Sequence, residues 1–242
     1  MARIKWRTSW TVISLCRLSL SSCAAFYRVW RVCQPSWTAV QSKIFLREQE
    51  LTEFDASLIA QYLKSNSSVT LMDLSDNSIG NRGTASIAES LRHHSSVKRL
   101  VLYNNGIEDA GAISISEMLV HNQTLTIVEL SENSVMDAGV TAIANALRTN
   151  RSLTDLGLSV NAIGDPGASA LAECLRVNSS LKVLALDSNH IGNSGVRALA
   201  SAISQSNSLT EVNLSTNAFD DDGRALLRQV ASNTRSNLTL KF

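Results

Sequence analysis

An asparagine recurs every 28 residues, at Asn77, Asn105, Asn133, Asn161, Asn189 and Asn217. A fixed period of this length constrains the chain more than any other signal, because it implies a stack of like units rather than one globular core. The unit is plainest in "LKVLALDSNHIGNSGVRALASAI" from Leu181, which reads LxxLxLxxNxIxxxGxxxLxxxL. Six copies begin at Val69, Val97, Leu125, Leu153, Leu181 and Leu209. A degraded copy precedes them, in which Ile44, Leu46, Leu51, Ile59 and Leu63 keep the apolar positions while Gln49 and Asp55 replace the asparagine and the glycine. A further copy starts at Leu240 and Phe242.

Each unit changes period part-way. Leu184 and Leu186 alternate with Val183, Ala185 and Asp187, the period-two signature of a short strand. Thr84, Ile87, Ala88 and Leu91 are spaced i, i+3, i+4, i+7, which gives one helical face. Two places before each glycine stand Asn81, Asp109, Asp137, Asp165, Asn193 and Asp221, expected to cap their own helices through a side-chain oxygen. Pro166 is expected at the first helical position, and the glycine where the first turn approaches the chain leaving the strand.

The recurrent asparagine follows from hydrogen-bond accounting. Where the strand ends, backbone N–H and C=O groups face the interior without sheet partners and must be paired. A carboxamide both donates and accepts, so six in register can form a ladder that bonds the turns of their own and neighbouring coils. Units that all run the same way give parallel strands through right-handed crossovers. Strands stack about 4.8 Å apart and helices need about 10 Å, so the stack curves. The expected fold is an α/β right-handed solenoid with strands on the concave side and helices on the convex side.

These residues carry a resemblance. The motif LxLxxNxIGxxGxxALAxAL, repeated over roughly Lys43 to Phe242, resembles the ribonuclease-inhibitor-like class of leucine-rich repeat proteins, and is similar to the repeat region of NOD-like receptors and, more distantly, to Ran GTPase-activating proteins. The resemblance implies a non-enzymatic protein-binding scaffold, with innate sensing or signalling implied by the NOD-like receptors. GTPase activation is the alternative, although the chain has fewer repeats than the Ran-directed family and "SNLTLKF" is not an acidic tail. A ribonuclease inhibitor is a third reading, disfavoured because the repeats hold only Cys174.

Charge divides the chain at a composition break. Residues 1–47 contain Arg3, Lys5, Arg7, Arg17, Arg28, Arg31, Lys43 and Arg47 and no acidic residue. Removing those eight from the 22 basic side chains leaves 14 against 21 acidic ones, a balance near −7. An acidic repeat region argues against nucleic acid as partner. The expected organisation is a basic segment at 1–38, then a repeat domain at 39–242 with a degenerate first repeat at 39–66, full repeats at 67–234 and a last strand at 235–242. The segment, with "TVISLCRLSLSSCAA", reads as a transit peptide, a poor signal peptide interrupted by Arg17, or a structureless tail. No run approaches the roughly 20 apolar residues of a membrane span. The chain is accordingly expected in the cytoplasm as a monomer, or in mitochondria or outside the cell if the segment is a targeting peptide.

Neither metal nor cofactor is expected. Cys16, Cys23, Cys33 and Cys174 lack paired spacing, and His93, His94, His121 and His190 lack ligand spacing. Cys174 aligns with small helix positions and reads as a packed apolar residue. Asn66, Asn122, Asn150 and Asn178 each begin an N-x-S/T triplet, but share one repeat position just past the helix, where a left-handed asparagine is expected instead of a sugar. Asp220, Asp221 and Asp222 read as a helix start. No phosphate loop, GxSxG or HExxH is present, so no catalytic residue is assigned.

Function is expected on the concave strands, whose outward rows vary from copy to copy. The middle row is Phe45, Asp73, Val101, Glu129, Gly157, Ala185 and Asn213, and the next is Arg47, Ser75, Tyr103, Ser131, Ser159, Asp187 and Ser215. Arg99, Val101 and Tyr103 fall on one strand between Asp73 and Asp76 on one side and Glu129 and Glu132 on the other. Tyrosine and arginine are favoured interface anchors, and carboxylates around them would steer a basic partner. These seven, with Asp155 and Asp187, are the candidate partner-binding residues. In the last full repeat Arg224, Arg228 and Ala231 replace apolar helix positions, as expected of a polar solenoid end.

Overall fold

The structure, a computed structural model, describes residues 42–233 and 237–242. The basic segment at 1–38, with Cys16, Cys23 and Cys33, lies outside the described residues. Strand and helix alternate throughout: β1 (Lys43–Phe45), α1 (Glu53–Lys64), β2 (Leu71–Asp73), α2 (Gly80–Leu91), β3 (Arg99–Val101), α3 (Asp109–His121), β4 (Ile127–Glu129), α4 (Asp137–Leu147), β5 (Asp155–Gly157), α5 (Asp165–Leu175), β6 (Val183–Ala185), α6 (Asn193–Gln205), β7 (Glu211–Asn213), α7 (Asp221–Asn233) and β8 (Thr239–Lys241). The strands form one parallel sheet in chain order. Its register advances by one repeat at each step, so Phe45, Asp73, Val101, Glu129, Gly157, Ala185 and Asn213 lie side by side. Each helix packs on the next. The result is a right-handed α/β solenoid.

The inward rows form a continuous core. Met72, Leu100, Val128, Leu156, Leu184 and Val212 stack beneath the strands, and Ile87, Ile115, Ile143, Leu171, Leu199 and Leu227 face them from the helices, all buried. Burying one such side chain stabilises by about 1.5–3 kcal/mol. Because each copy contributes the same set, stability accumulates along the stack. Cys174 lies within this core and burial pushes its thiol up to about 11. Among the described residues no helix is long and apolar enough to cross a membrane.

Three polar ladders tie the coils together. In the first, Asn133 Nδ2 donates to Leu130 O and Ser131 O of its own turn and to Leu102 O of the preceding coil, at 2.9, 3.1 and 3.0 Å. Its Oδ1 accepts from Asn105 N and Ile107 N at 3.0 and 2.9 Å. Asn77, Asn105, Asn161, Asn189 and Asn217 also donate backward and accept from the preceding coil.

The second ladder corrects the capping expectation. Asp109, Asp137, Asp165 and Asn193 are the first residues of their helices rather than the residues before them, and none caps its own helix. Each side chain instead reaches the helix of the following repeat. Asp109 Oδ1 accepts from Met136 N and Gly139 N, Asp137 Oδ1 from Gly164 N and Gly167 N, and Asp165 Oδ1 from Gly192 N and Gly195 N, all at 2.7–2.9 Å. Asn81 does the same for Glu108 N and Gly111 N. A cap on a neighbour satisfies the same unpaired N–H groups and locks two coils at once. It also explains the glycine: a Cβ at Gly139 would lie 2.7 Å from Asp109 Oδ1 and 2.8 Å from Ala112 Cβ. Pro166 is consequently the second helical residue. At the last helix Asp220, not Asp221, accepts from Asp222 N and Gly223 N, and those bonds with one from Asn193 lower its pKa, the Asn193 bond most.

The third ladder corrects the left-handed asparagine. Asn122 is extended, φ −76° and ψ 125°, and neither Asn150 nor Asn178 has positive φ. Asn150 is fully buried. Its Nδ2 donates to Leu119 O and Asn122 O, both at 2.9 Å, while Oδ1 accepts from Ser152 N and Leu153 N at 3.0 and 2.9 Å. Asn122 and Asn178 repeat the pattern. The nitrogen a sugar would occupy is thus spent on two backbone carbonyls.

Candidate functional site

The concave sheet is built so that inward side chains fill the core and the alternate row is left outside. A groove of about 780 Å³ lies on that face, bounded by Phe45 and Arg47 at one end, Arg99, Val101 and Tyr103 in the middle, and Ser159, Val160 and Asp187 at the other. Asp73 and Glu129 also line it. Six of the nine candidate residues, Asp73, Arg99, Val101, Tyr103, Glu129 and Asp187, therefore share one concavity. Asp76 and Glu132 stand beside it in the turns that follow β2 and β4, and Asp155 lies on β5 between Ile127 and Val183.

The charges do not pair as their sequence neighbours suggest. Asp76 turns toward Arg47, with 2.9 Å between Nη2 and Oδ2, and accepts from Asn104 Nδ2 at 2.9 Å. Its proximity is the chief reason the Arg47 pKa is raised. Glu132 accepts a hydrogen bond from the Tyr103 phenol, which raises the tyrosine pKa by favouring the neutral form. Asp73 accepts from Ser75 N and Oγ at 3.1 and 2.6 Å. Asp155 accepts from Thr154 Oγ1. The Arg99 side chain is exposed and has neither a hydrogen bond nor an ion pair among the described residues, the residue's N–H being taken by Thr70 O of the preceding coil.

Glu129 and Asp187 are held by neutral donors. Glu129 accepts from Ser131 N at 2.9 Å and from Ser131 Oγ, and its carboxylate leans across Gly157, where a Cβ would lie 2.1 Å from Oε1. Asp187 accepts from Ser159 Oγ at 2.6 Å and Asn213 Nδ2 at 2.8 Å. Ser159 N in turn donates to Ser131 Oγ at 3.0 Å, joining the two clusters.

Val160 escaped the sequence reading of the site, and Phe45, though in the outward middle row, was not among its candidates. Both are large apolar side chains left open on this face, 62% and 44% exposed. Val160 has φ 52°, a left-handed conformation that a β-branched residue adopts only under strain. The equivalent positions are Glu48, Asp76, Asn104, Glu132, Ser188 and Thr216, all with positive φ, and of these only Thr216 is also β-branched. A second concavity, about 570 Å³, lies on the helical side between α6 and α7, with Ala200, Leu226 and Val230 among its walls. Among the described residues no group of three metal-ligating side chains comes together.

The leucine-rich domain of the TMOD/LMOD proteins matches residues 138–240, and a leucine-rich repeat family matches residues 65–88, 93–116 and 121–144. The chain is a leucine-rich repeat solenoid. The solved structure of leiomodin-1 actin-binding site 2 is 20% identical with a TM-score of 0.52, covering 60% of this chain and 86% of its own. The tropomodulin C-terminal domain of Caenorhabditis elegans is 17% identical with a TM-score of 0.54, covering 62% and 92%. At such identity the likeness is one of fold. No curated protein matches the chain.

Proposed function

We propose that the chain is a non-catalytic scaffold that binds another protein on its concave strands. The observation that carries this reading is the groove at β1–β6, where an unpaired arginine, a tyrosine and exposed apolar side chains share one face with carboxylates that have no cation. Tyrosine and arginine at the centre of a concavity are the residue types on which binding energy concentrates. The ribonuclease-inhibitor-like and NOD-like resemblances and a signalling role rest on the 28-residue frame, while the matched families support leucine-rich repeats generally and the TMOD/LMOD kind in particular. GTPase activation draws no support from them.

The test is capture with the purified chain beside the double variant Tyr103→Ala, Glu129→Arg. A partner held by the wild type and lost from the variant, with the urea midpoint unchanged, places the site on the strands. Equal capture by both moves it to the helices.

A second reading is actin binding, favoured by the match over residues 138–240 and by the likeness in fold to leiomodin-1 actin-binding site 2. Co-sedimentation with filamentous actin and native electrophoresis with monomeric actin test it. Because the match covers α4 onward, actin bound equally by wild type and the Tyr103→Ala, Glu129→Arg variant would direct attention to the groove between α6 and α7. No binding to either form of actin would discard this reading and leave the scaffold standing.

A further inference from the structure

The charges on the concave sheet are segregated by strand. The outward rows of β1–β3 carry Lys43, Arg47 and Arg99 against a single acid, Asp73. Those of β4–β6 carry Glu129, Asp155 and Asp187 and no base. Among the groove's charges, Arg47 is neutralised within the chain by Asp76, whereas the Arg99 side chain is free among the described residues and Asp73, Glu129 and Asp187 have only neutral donors. The open sheet therefore presents a cation on β3 and two carboxylates that converge on β5, one leaning over Gly157 and the other held by Ser159.

We propose that this groove receives an extended segment of another protein that runs across the strands, with an acidic side chain over Arg99 and a lysine or arginine between Glu129 and Asp187. The inference rests on the concave-face reading above and names the chemistry of its partner. The strands within the sheet already have their hydrogen-bonding neighbours, so the segment cannot add as a strand there and must be read through side chains. Two steps between strands, from β3 to β5, span about 10 Å, whereas same-side residues of an extended chain recur every second position at about 3.3 Å per residue. The acidic and basic residues of the segment should therefore stand two or four positions apart. Val160, exposed and beside the carboxylates in the groove, offers an apolar surface for the methylene stem of the basic side chain. The order of charges fixes the direction in which the segment lies, the use to which complementary potentials are put at interfaces.

Selection of short random peptides displayed on phage tests this, with the wild-type chain and the triple variant Arg99→Glu, Glu129→Lys, Asp187→Lys as targets. The wild type is expected to enrich peptides with Asp or Glu and Lys or Arg two or four positions apart. A synthetic peptide from that pool should bind the variant about tenfold or more weakly at low salt, and the variant should enrich the reverse polarity. Circular dichroism and the urea midpoint establish that the variant folds, and single Arg99→Gln and Glu129→Gln variants repeat the affinity measurement if it does not. Enrichment without the charge pairing, equal binding by the variants, or no enrichment at all would overturn the inference. If the capture experiment above still succeeds in any of those cases, the concave site stands and only its dipolar occupant falls.

Discussion

Asn150→Leu separates two meanings of the same triplet, Asn-Arg-Ser. The substitution keeps the side chain's approximate shape and removes its amide. Four backbone groups then lose a partner: Leu119 O, Asn122 O, Ser152 N and Leu153 N. Asn122 O retains a long contact from Ser152 Oγ at 3.4 Å, so three groups are stranded outright. Each unsatisfied buried group costs about 1–3 kcal/mol; Leu119 O and Leu153 N are buried, so water cannot reach them without opening the coil, while Ser152 N is only half-buried. A loss of about 3–6 kcal/mol is expected, a large part of the stability of an ordinary domain. Urea unfolding followed by circular dichroism measures it. A loss below about 1 kcal/mol would refute the accounting, because it would mean that the stranded groups find partners at little cost. His94 supplies the internal comparison: it occupies the same rung, with Nδ1 accepting from Ser96 N and Val97 N at a longer 3.3 Å. His94→Asn should therefore be neutral or stabilising by up to about 1 kcal/mol. A glycan-bearing Asn150 would instead show itself as a mass change on enzymatic deglycosylation, and none is expected.

Val160→Asn should stabilise by about 1 kcal/mol, since Asn104 holds the equivalent conformation at φ 48° and asparagine tolerates it where valine does not; an unchanged or lower urea midpoint would argue that the valine is not strained. Asp137→Ala should cost about 1 kcal/mol by freeing Gly164 N and Gly167 N, and Asp137→Asn should recover most of it; an equal loss in both variants would mean that charge, rather than acceptance at Oδ1, is what the neighbouring helix requires. Tyr103 should ionise above the ordinary value near 10, because the bond to Glu132 exists only while the phenol keeps its proton. The difference in ultraviolet titration between wild type and Tyr103→Phe reads it, and Glu132→Gln should move the midpoint down; no movement would remove Glu132 as the cause.

The repeat made strands, helices and register legible because each depends on one unit of sequence. The alternation at Val183–Asp187 and the helical face at Thr84–Leu91 could be read in any single copy. The concave rows followed from the same alternation, which is why six of the nine candidate residues fall in one groove. Side-chain partners on that face were not legible in the same way. Arg47 and Asp76 stand 29 residues apart, Tyr103 and Glu132 likewise, so each pair joins neighbouring coils. The choice between those partners and Arg99 depends on rotamers that spacing does not record.

A deeper limit is set by the periodicity itself. In a regular repeat, the distance from Asp137 to its own Gly139 and to the next glycine, Gly167, is equally constant from copy to copy, two residues in one case and thirty in the other. A contact within a unit and a contact with the following unit thus leave the same trace, and the helix-capping rule favours the nearer. Geometry decides otherwise, because a helix-start side chain lies beside the unpaired N–H groups of the neighbouring helix. The same ambiguity hid the role of Asn150, whose acceptor side serves residues two and three places on while its donor side reaches back 28 and 31. Only irregular copies break the tie. At Asp55, in the place of Gly83 and its successors, the carboxylate accepts instead from Thr52 N and Oγ1 of its own helix start, at 2.9 and 2.8 Å. A residue larger than glycine is accommodated at the position where the later copies receive the side chain of the preceding repeat, which is the sequence-level sign that the glycine exists for the neighbour.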